Sequence, residues 1–129
     1  MHPNEARIRE GYAAESRGNG KVLAALVAPD AEWHIPGVSP ISGTYRGLNE
    51  IFGFWRKVAA LAPSGVNIEV LDVLANDHHA AVFVVMRCQR KGVALEQPGV
   101  HIYELRNALA VRGQFYYEDQ RAYDAFWSA

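Results

Sequence analysis

Cysteine is almost missing from this sequence: Cys88 stands alone. One thiol excludes an intrachain disulfide and a cysteine-based zinc site. It fits a reducing cytoplasm, which is the expected location. Long apolar runs are missing too. None exceeds seven residues, as in Ala80 to Met86, far short of the ~18 that cross a bilayer. The N-terminal stretch Met1-His2-Pro3-Asn4-Glu5-Ala6-Arg7 has no apolar core, so no signal peptide is expected. Neither sign of charge dominates. Thirteen basic residues face fourteen acidic ones, for a net charge of -1, which gives no electrostatic case for nucleic acid or an anionic membrane. No Gly-rich phosphate loop, G-x-S-x-G or metal-spaced His/carboxylate set is present. His78 and His79 are adjacent, and alternating directions would splay them. No metal and no cofactor is expected.

What the chain has is aromatic side chains: six Tyr, five Phe and three Trp among 129 residues. The length suits one domain spanning 1-129 with its own core. Pro3 opens a first helix, with Ile8 and Tyr12 on one face, and Gly18 and Gly20 close it. Lys21 to Ala28 reads as a short second helix stopped by Pro29. Ala31 to Ile35 alternates as a strand, and Val38 to Arg46 reads as a loop. Leu48 to Leu61 is the clearest helix, with Ile51, Phe52, Trp55, Val58, Ala59 and Ala62 as its apolar stripe. The period then drops to two. Val66, Ile68 and Val70 share one face, whereas Leu71, Val73 and Ala75 share the other. That phase flip predicts a bulge near Val70 and Leu71. Ala80 to Arg90 reads as a central strand. Val93 to Leu105 follows, interrupted at Gln97-Pro98-Gly99, then Leu109 to Glu118 and a terminal helix from Asp119 to Trp127. The order is α-α-β-α-β-β-β-β with a short C-terminal helix. Short turns between the late strands force an antiparallel meander, hence an α+β fold.

Several segments together resemble the SnoaL-like (polyketide cyclase-like) family of the nuclear transport factor 2-like superfamily. They are Trp33-His34-Ile35-Pro36-Gly37, Ser39-Pro40, Ser42-Gly43-Thr44-Tyr45-Arg46-Gly47, Phe54-Trp55, His101-x-Tyr103-x-Leu105 and Asp119-Gln120 with Asp124-Ala125-Phe126-Trp127. The resemblance implies a cone-shaped, curved antiparallel sheet wrapped around helices, with a deep apolar pocket. It implies relatives among polyketide cyclases, ketosteroid isomerases and dehydratases, and homodimers formed through the outer sheet face. The chain also departs from that pattern. Ile35 stands where the isomerases carry an aspartate base, Gln114 where relatives carry a last-strand Trp, and Asn107-Ala108 where the turn is often Asp-Gly.

The candidate catalytic residues are His101, Tyr103 and Tyr116. His101 and Tyr103 lie two apart on one strand face, as do Gln114 and Tyr116 on the next. Pairing around Asn107-Ala108 would make the two sets neighbours. A His beside tyrosines and an amide can act as a base facing donors for an enolate. The alternative is a hydrogen-bonded histidine on a half-buried sheet face. The candidate pocket residues are Tyr12, Trp33, Ile35, Phe54, Trp55, Arg87 and Gln114. Arg87 either meets an anionic ligand group or pairs with a carboxylate such as Glu104. His34, out of phase with Trp33 and Ile35, points to the outer face. Phe52 and Phe83 read as core.

Two function classes follow. One is a cofactor-independent isomerase, cyclase or dehydratase acting on a small apolar or polycyclic carbonyl compound. The other is a non-catalytic ligand-binding or dimeric interaction module. No nucleic acid or membrane partner is expected, and a homodimer through the outer sheet face is.

Overall fold

The computed structural model describes residues 1–129. Its elements run α1 (Pro3–Ser16), α2 (Lys21–Ala24), β1 (Val27–Ile35), β2 (Gly43–Arg46), α3 (Gly47–Leu61), β3 (Val66–Ala75), β4 (His79–Arg90), β5 (Val93–Arg106), β6 (Leu109–Tyr117) and α4 (Gln120–Ser128). The strands form one sheet in the order β2-β1-β6-β5-β4-β3. All neighbours are antiparallel except β1 and β6, which run parallel. The α+β class and the element order match the sequence reading. The curved sheet carries α1 against β3, α3 against β1 and β2, and α4 against β5 and β6.

Pro3 occupies the first turn of α1, and the His2 imidazole accepts from the Asn4 amide as its cap. The Asn4 side chain is buried, and its amide donates to Asn76 O at 3.0 Å, tying α1 to the β3–β4 turn. Gly11 lets α2 close in: a Cβ there would stand 2.9 Å from Leu23 Cδ1. No helix is long and apolar enough to cross a membrane.

The strands correct four expectations. First, α2 ends at Ala24, and Val27–Asp30 are already strand. Pro29 is tolerated there because β1 and β6 lose register between Val27 and Glu32, so its missing N–H breaks no bond of that ladder. Second, Gly43–Arg46 is an edge strand rather than loop. Third, β5 runs unbroken through Gln97-Pro98-Gly99. Pro98 sits where the β5–β6 ladder ends, and its carbonyl accepts from Glu118 N at 3.0 Å. Fourth, Phe83 is 41% exposed on the outer face rather than core. The bulge expected in β3 is present: Val70 pairs with Val84 and Asp72 with Phe83, leaving Leu71 over.

Along β4 burial alternates, with Ala80, Val82, Val84, Met86, Cys88 and Arg90 turned inward. Arg90 is the one charged residue in that row. Its guanidinium donates to Leu61 O, Phe126 O and Ala129 O at 3.1, 2.6 and 2.8 Å, so one side chain satisfies carbonyls at the ends of both α3 and α4. Gln97 holds the other end of α4, exchanging two 3.0 Å bonds with the Asp119 backbone.

Candidate active site

A cavity of about 140 Å³ lies between the inner sheet face and the helices. From α1 come Asn4, Arg7, Ile8, Tyr12 and Glu15, and from α3 Phe54 and Trp55. The sheet contributes Trp33, Ile68, His101, Tyr103, Leu105 and Phe115. The walls are apolar apart from a few groups, and most of those groups are linked to each other.

Alternation along β5 turns His101 and Tyr103 inward, and both are buried. Tyr12 reaches them from α1. Its Oη lies 2.6 Å from Tyr103 Oη and 2.7 Å from His101 Nδ1. His101 Nε2 is in turn 2.8 Å from Tyr117 Oη. The result is a continuous chain, Tyr103–Tyr12–His101–Tyr117. Two glycines make room for it. A Cβ at Gly113 would stand 3.0 Å from Phe115 Cζ and 3.1 Å from Trp33 Cδ2, so its absence lets both rings approach β6. Gly99 pairs with Tyr117, and its bare Cα lets the Tyr117 ring cross β5 towards His101. Phe115 sits at the centre of the cluster, 4.9 Å from the His101 ring and 5.5 Å from the Trp33 ring between centroids.

Burial fixes the protonation of this chain. It pulls His101 down from 6.5 to about 3, so the imidazole is neutral at ordinary pH. Burial likewise raises Tyr12, Tyr103 and Tyr117, so all three phenols keep their protons. Three hydroxyls and one imidazole N–H supply four hydrogens for three bonds. One hydrogen is always left over. In one sense Tyr117 donates to Nε2, Nδ1–H to Tyr12 and Tyr12 to Tyr103, and the Tyr103 O–H is free to point into the cavity. Reversing every bond, or the Tyr12–Tyr103 bond alone, instead leaves the Tyr103 oxygen as an acceptor.

Glu15 is the only carboxylate lining the cavity. The residue keeps open surface at the mouth, yet neighbouring protein crowds its carboxyl and raises its pKa. Arg7 stands at the mouth as well, with Nη1 donating to Asn4 Oδ1 at 2.9 Å. The ionisable residues of the lining are five, Arg7, Tyr12, Glu15, His101 and Tyr103, and they form no group of three or more metal-ligating side chains.

Of the residues expected at the site, Tyr12, Trp33, Phe54, Trp55, His101 and Tyr103 line the cavity together. Ile35 is buried in the core but forms no part of the cavity wall. Arg87 is not in the cavity. It alternates with inward Met86 and Cys88, lies on the outer face, and pairs with Glu69 at 2.8 Å and Glu96 at 2.7 Å rather than with Glu104. Gln114 and Tyr116 are also on the outer face, with Tyr116 38% exposed. The cause is a bulge. Leu105 pairs with Ala110 but Glu104 with Arg112, so Val111 is an extra residue. Without it His101 would face Gln114; with it His101 faces Phe115 and Tyr103 faces Gly113. Among the site residues that the sequence reading missed are Arg7, Glu15, Phe115 and Tyr117. Glu15 had a signal: it follows Tyr12 by three, on the same helix face. His34 lies outside the cavity and meets Thr44 Oγ1 at 3.2 Å.

The arrangement has counterparts. The chain is 28% identical over 122 residues to an uncharacterised protein of Mycobacterium tuberculosis (strain ATCC 25618 / H37Rv), covering 94% of this chain and 93% of that one. A protein of unknown function with a cystatin-like fold from Xanthomonas campestris superposes with a TM-score of 0.90 at 26% identity, over 100% of both chains. An NTF2-like protein of unknown function from Burkholderia pseudomallei shares the fold, with a TM-score of 0.88 at 22% identity and 100% of both chains covered. Residues 8–113 match the SnoaL-like domain. With that match over most of its length, the chain belongs to the SnoaL-like family.

Proposed function

We propose that this protein binds a small, one-ring carbonyl compound in the cavity and polarises its oxygen for proton-transfer chemistry. The observation that carries this reading is the Tyr103–Tyr12–His101–Tyr117 chain, which ends at the cavity wall with one hydrogen to spare. A carbonyl oxygen selects the sense of the chain in which Tyr103 donates. Removed from water, that hydrogen bond grows stronger as charge develops on the oxygen. His101 positions the phenols: both of its nitrogens are already bonded, and it is too weakly basic to take a proton from carbon. The cavity volume of about 140 Å³ favours one ring, since an apolar cavity of roughly 150 Å³ holds benzene. A polycyclic compound would have to extend past Arg7 and Glu15 at the mouth.

The test is titration with phenol, an enol-shaped probe, read by the fluorescence of Trp33 and Trp55 in the cavity wall. Wild type is expected to saturate, and Tyr103→Phe to bind about tenfold more weakly, the worth of one hydrogen bond. Equal binding by both would remove Tyr103 from the reading.

A homodimer through the outer sheet face belongs to the same reading. Phe83, Val100 and Tyr116 lie side by side across β4, β5 and β6 on that face. Phe83 and Tyr116 are 41% and 38% exposed, and such a row of apolar groups favours a covering partner.

A further inference from the structure

The geometry points to Glu15 as the catalytic base of this cavity, the group that removes a proton from the carbon beside the bound carbonyl. This inference rests on the binding mode proposed above.

Elimination comes first. The cavity lining offers four kinds of ionisable group: Arg7, the phenols of Tyr12 and Tyr103, the His101 imidazole, and the Glu15 carboxyl. Arg7 is a permanent cation. The phenols and the imidazole bond to one another, and no lone pair of His101 is left for a substrate. Glu15 alone remains able to accept a proton.

Position comes second. Glu15 follows Tyr12 by three residues on α1, so its side chain stands about 5 Å further along the same helix face. Its charge is felt by both Tyr12 and Tyr103. A ligand whose oxygen meets Tyr103 therefore lies within the field of this carboxylate. Glu15 also borders the two shallower hollows that open beside the cavity, so it stands where a ligand enters.

The third observation is that Glu15 is unpartnered. Glu5, on the same helix, is bonded to Arg9 at 3.0 Å. Glu15 is exposed at the mouth and makes no hydrogen bond or ion pair, and crowding of its carboxyl by neighbouring protein is the only influence that raises its pKa. The one cation of the cavity and the one cation of the adjoining hollow are both engaged elsewhere. Arg7 donates to Asn4, and Arg87, which lines an adjoining hollow, is held by Glu69 and Glu96. An unpaired, partly desolvated carboxylate is a stronger base than a solvated one.

The step balances without a co-reactant. A Glu15 oxygen takes the proton from the carbon next to the carbonyl. The C–H electron pair becomes the carbon–carbon double bond, and the carbonyl π pair moves onto oxygen, held by the Tyr103 hydroxyl. If the protonated Glu15 carboxyl first swaps its proton with water, return to the same carbon gives isotope exchange; return of the proton to a conjugated carbon gives isomerisation.

The experiment follows deuterium uptake from D2O into the carbons beside the carbonyl of cyclohexanone and 2-cyclohexen-1-one by NMR, with phenol binding measured in parallel. Wild type is expected to accelerate uptake, with a rate that rises through a carboxyl titrating above the usual range. Glu15→Gln is expected to lose at least ~100-fold of that acceleration and the titration with it, while still binding phenol. Glu15→Asp should keep part of the rate. If Glu15→Gln exchanges as wild type does, or if wild type binds phenol without accelerating exchange, Glu15 is not the base and the binding mode stands. If wild type binds no phenol, the binding mode fails and the base falls with it.

Discussion

Tyr12 Oη sits 2.6 Å from Tyr103 Oη, and the same oxygen sits 2.7 Å from His101 Nδ1. Tyr12 is therefore one of the two inner links of the chain and the only member contributed by a helix. Its removal should cost more than the removal of either end. Tyr12→Phe leaves a buried imidazole nitrogen and a buried phenol without their partner, a loss of about 1–3 kcal/mol in urea unfolding. Tyr117→Phe, at the half-buried end, should cost less. The reverse ranking would mean that the chain is not a coupled unit, and a double-mutant cycle would then find additive effects.

His101 sets a direction for acid stability. Its pKa in the fold is about 3, against 6.5 unfolded. The unfolded chain thus binds a proton between those values that the folded chain refuses, so stability falls as pH drops through that window and is unaffected above it. One proton contributes about 1.4 kcal/mol per pH unit to that slope. His101→Gln should unfold with a shallower dependence than wild type between pH 6.5 and 4. The ring resonances of His101 should also stay fixed in NMR titrations over that range.

These two residues show what the sequence makes legible. His101 and Tyr103 alternate with outward neighbours, so their shared face can be read directly. The β3 bulge can also be read, because bulky residues on both sides of Leu71 reveal the change of phase. The β6 bulge is silent. The inward residues flanking it are Ala110 and Gly113, too small to mark a face, and the error passes to every residue beyond. Gln114 and Tyr116 were displaced from the site for that reason alone. The parallel β1–β6 pairing and the short edge strand Gly43–Arg46 depend on partners distant in sequence, so local alternation carries no trace of them. Tyr12 lies 89 residues from His101, and only the fold brings them together.

The β5–β6 turn stores strain. Asn107 and Ala108 have φ of 51° and 66°, the left-handed pair that a two-residue hairpin requires. Asn tolerates that region; Ala does so at about 1 kcal/mol. Ala108→Gly should therefore raise the thermal midpoint, by an amount trimmed by the greater freedom of glycine in the unfolded chain. The Ala108 methyl also lines the cavity. Phenol titration of the same variant should show slightly weaker binding, since one wall contact is gone. A lower midpoint would show that the turn relaxes out of the left-handed pair.

The outer row Phe83–Val100–Tyr116 gives the dimer a specific test. Sheet registers place Phe83 opposite Val100 and Val100 opposite Tyr116, so the three side chains form one strip across β4, β5 and β6. If a second copy covers that strip, light scattering should give twice the 14.3 kDa chain mass. A charge inside a covered apolar strip must be desolvated without a partner, which costs more than the contact it replaces. Phe83→Asp should then scatter as a monomer. Val38, 86% exposed in the loop after β1, is a control, and Val38→Asp should leave the mass unchanged. A wild-type chain that stays monomeric at high concentration rules the dimer out. Because Phe83 and the cavity lie on opposite faces of β4, phenol binding by Phe83→Asp should match wild type if the dimer serves only to cover the sheet.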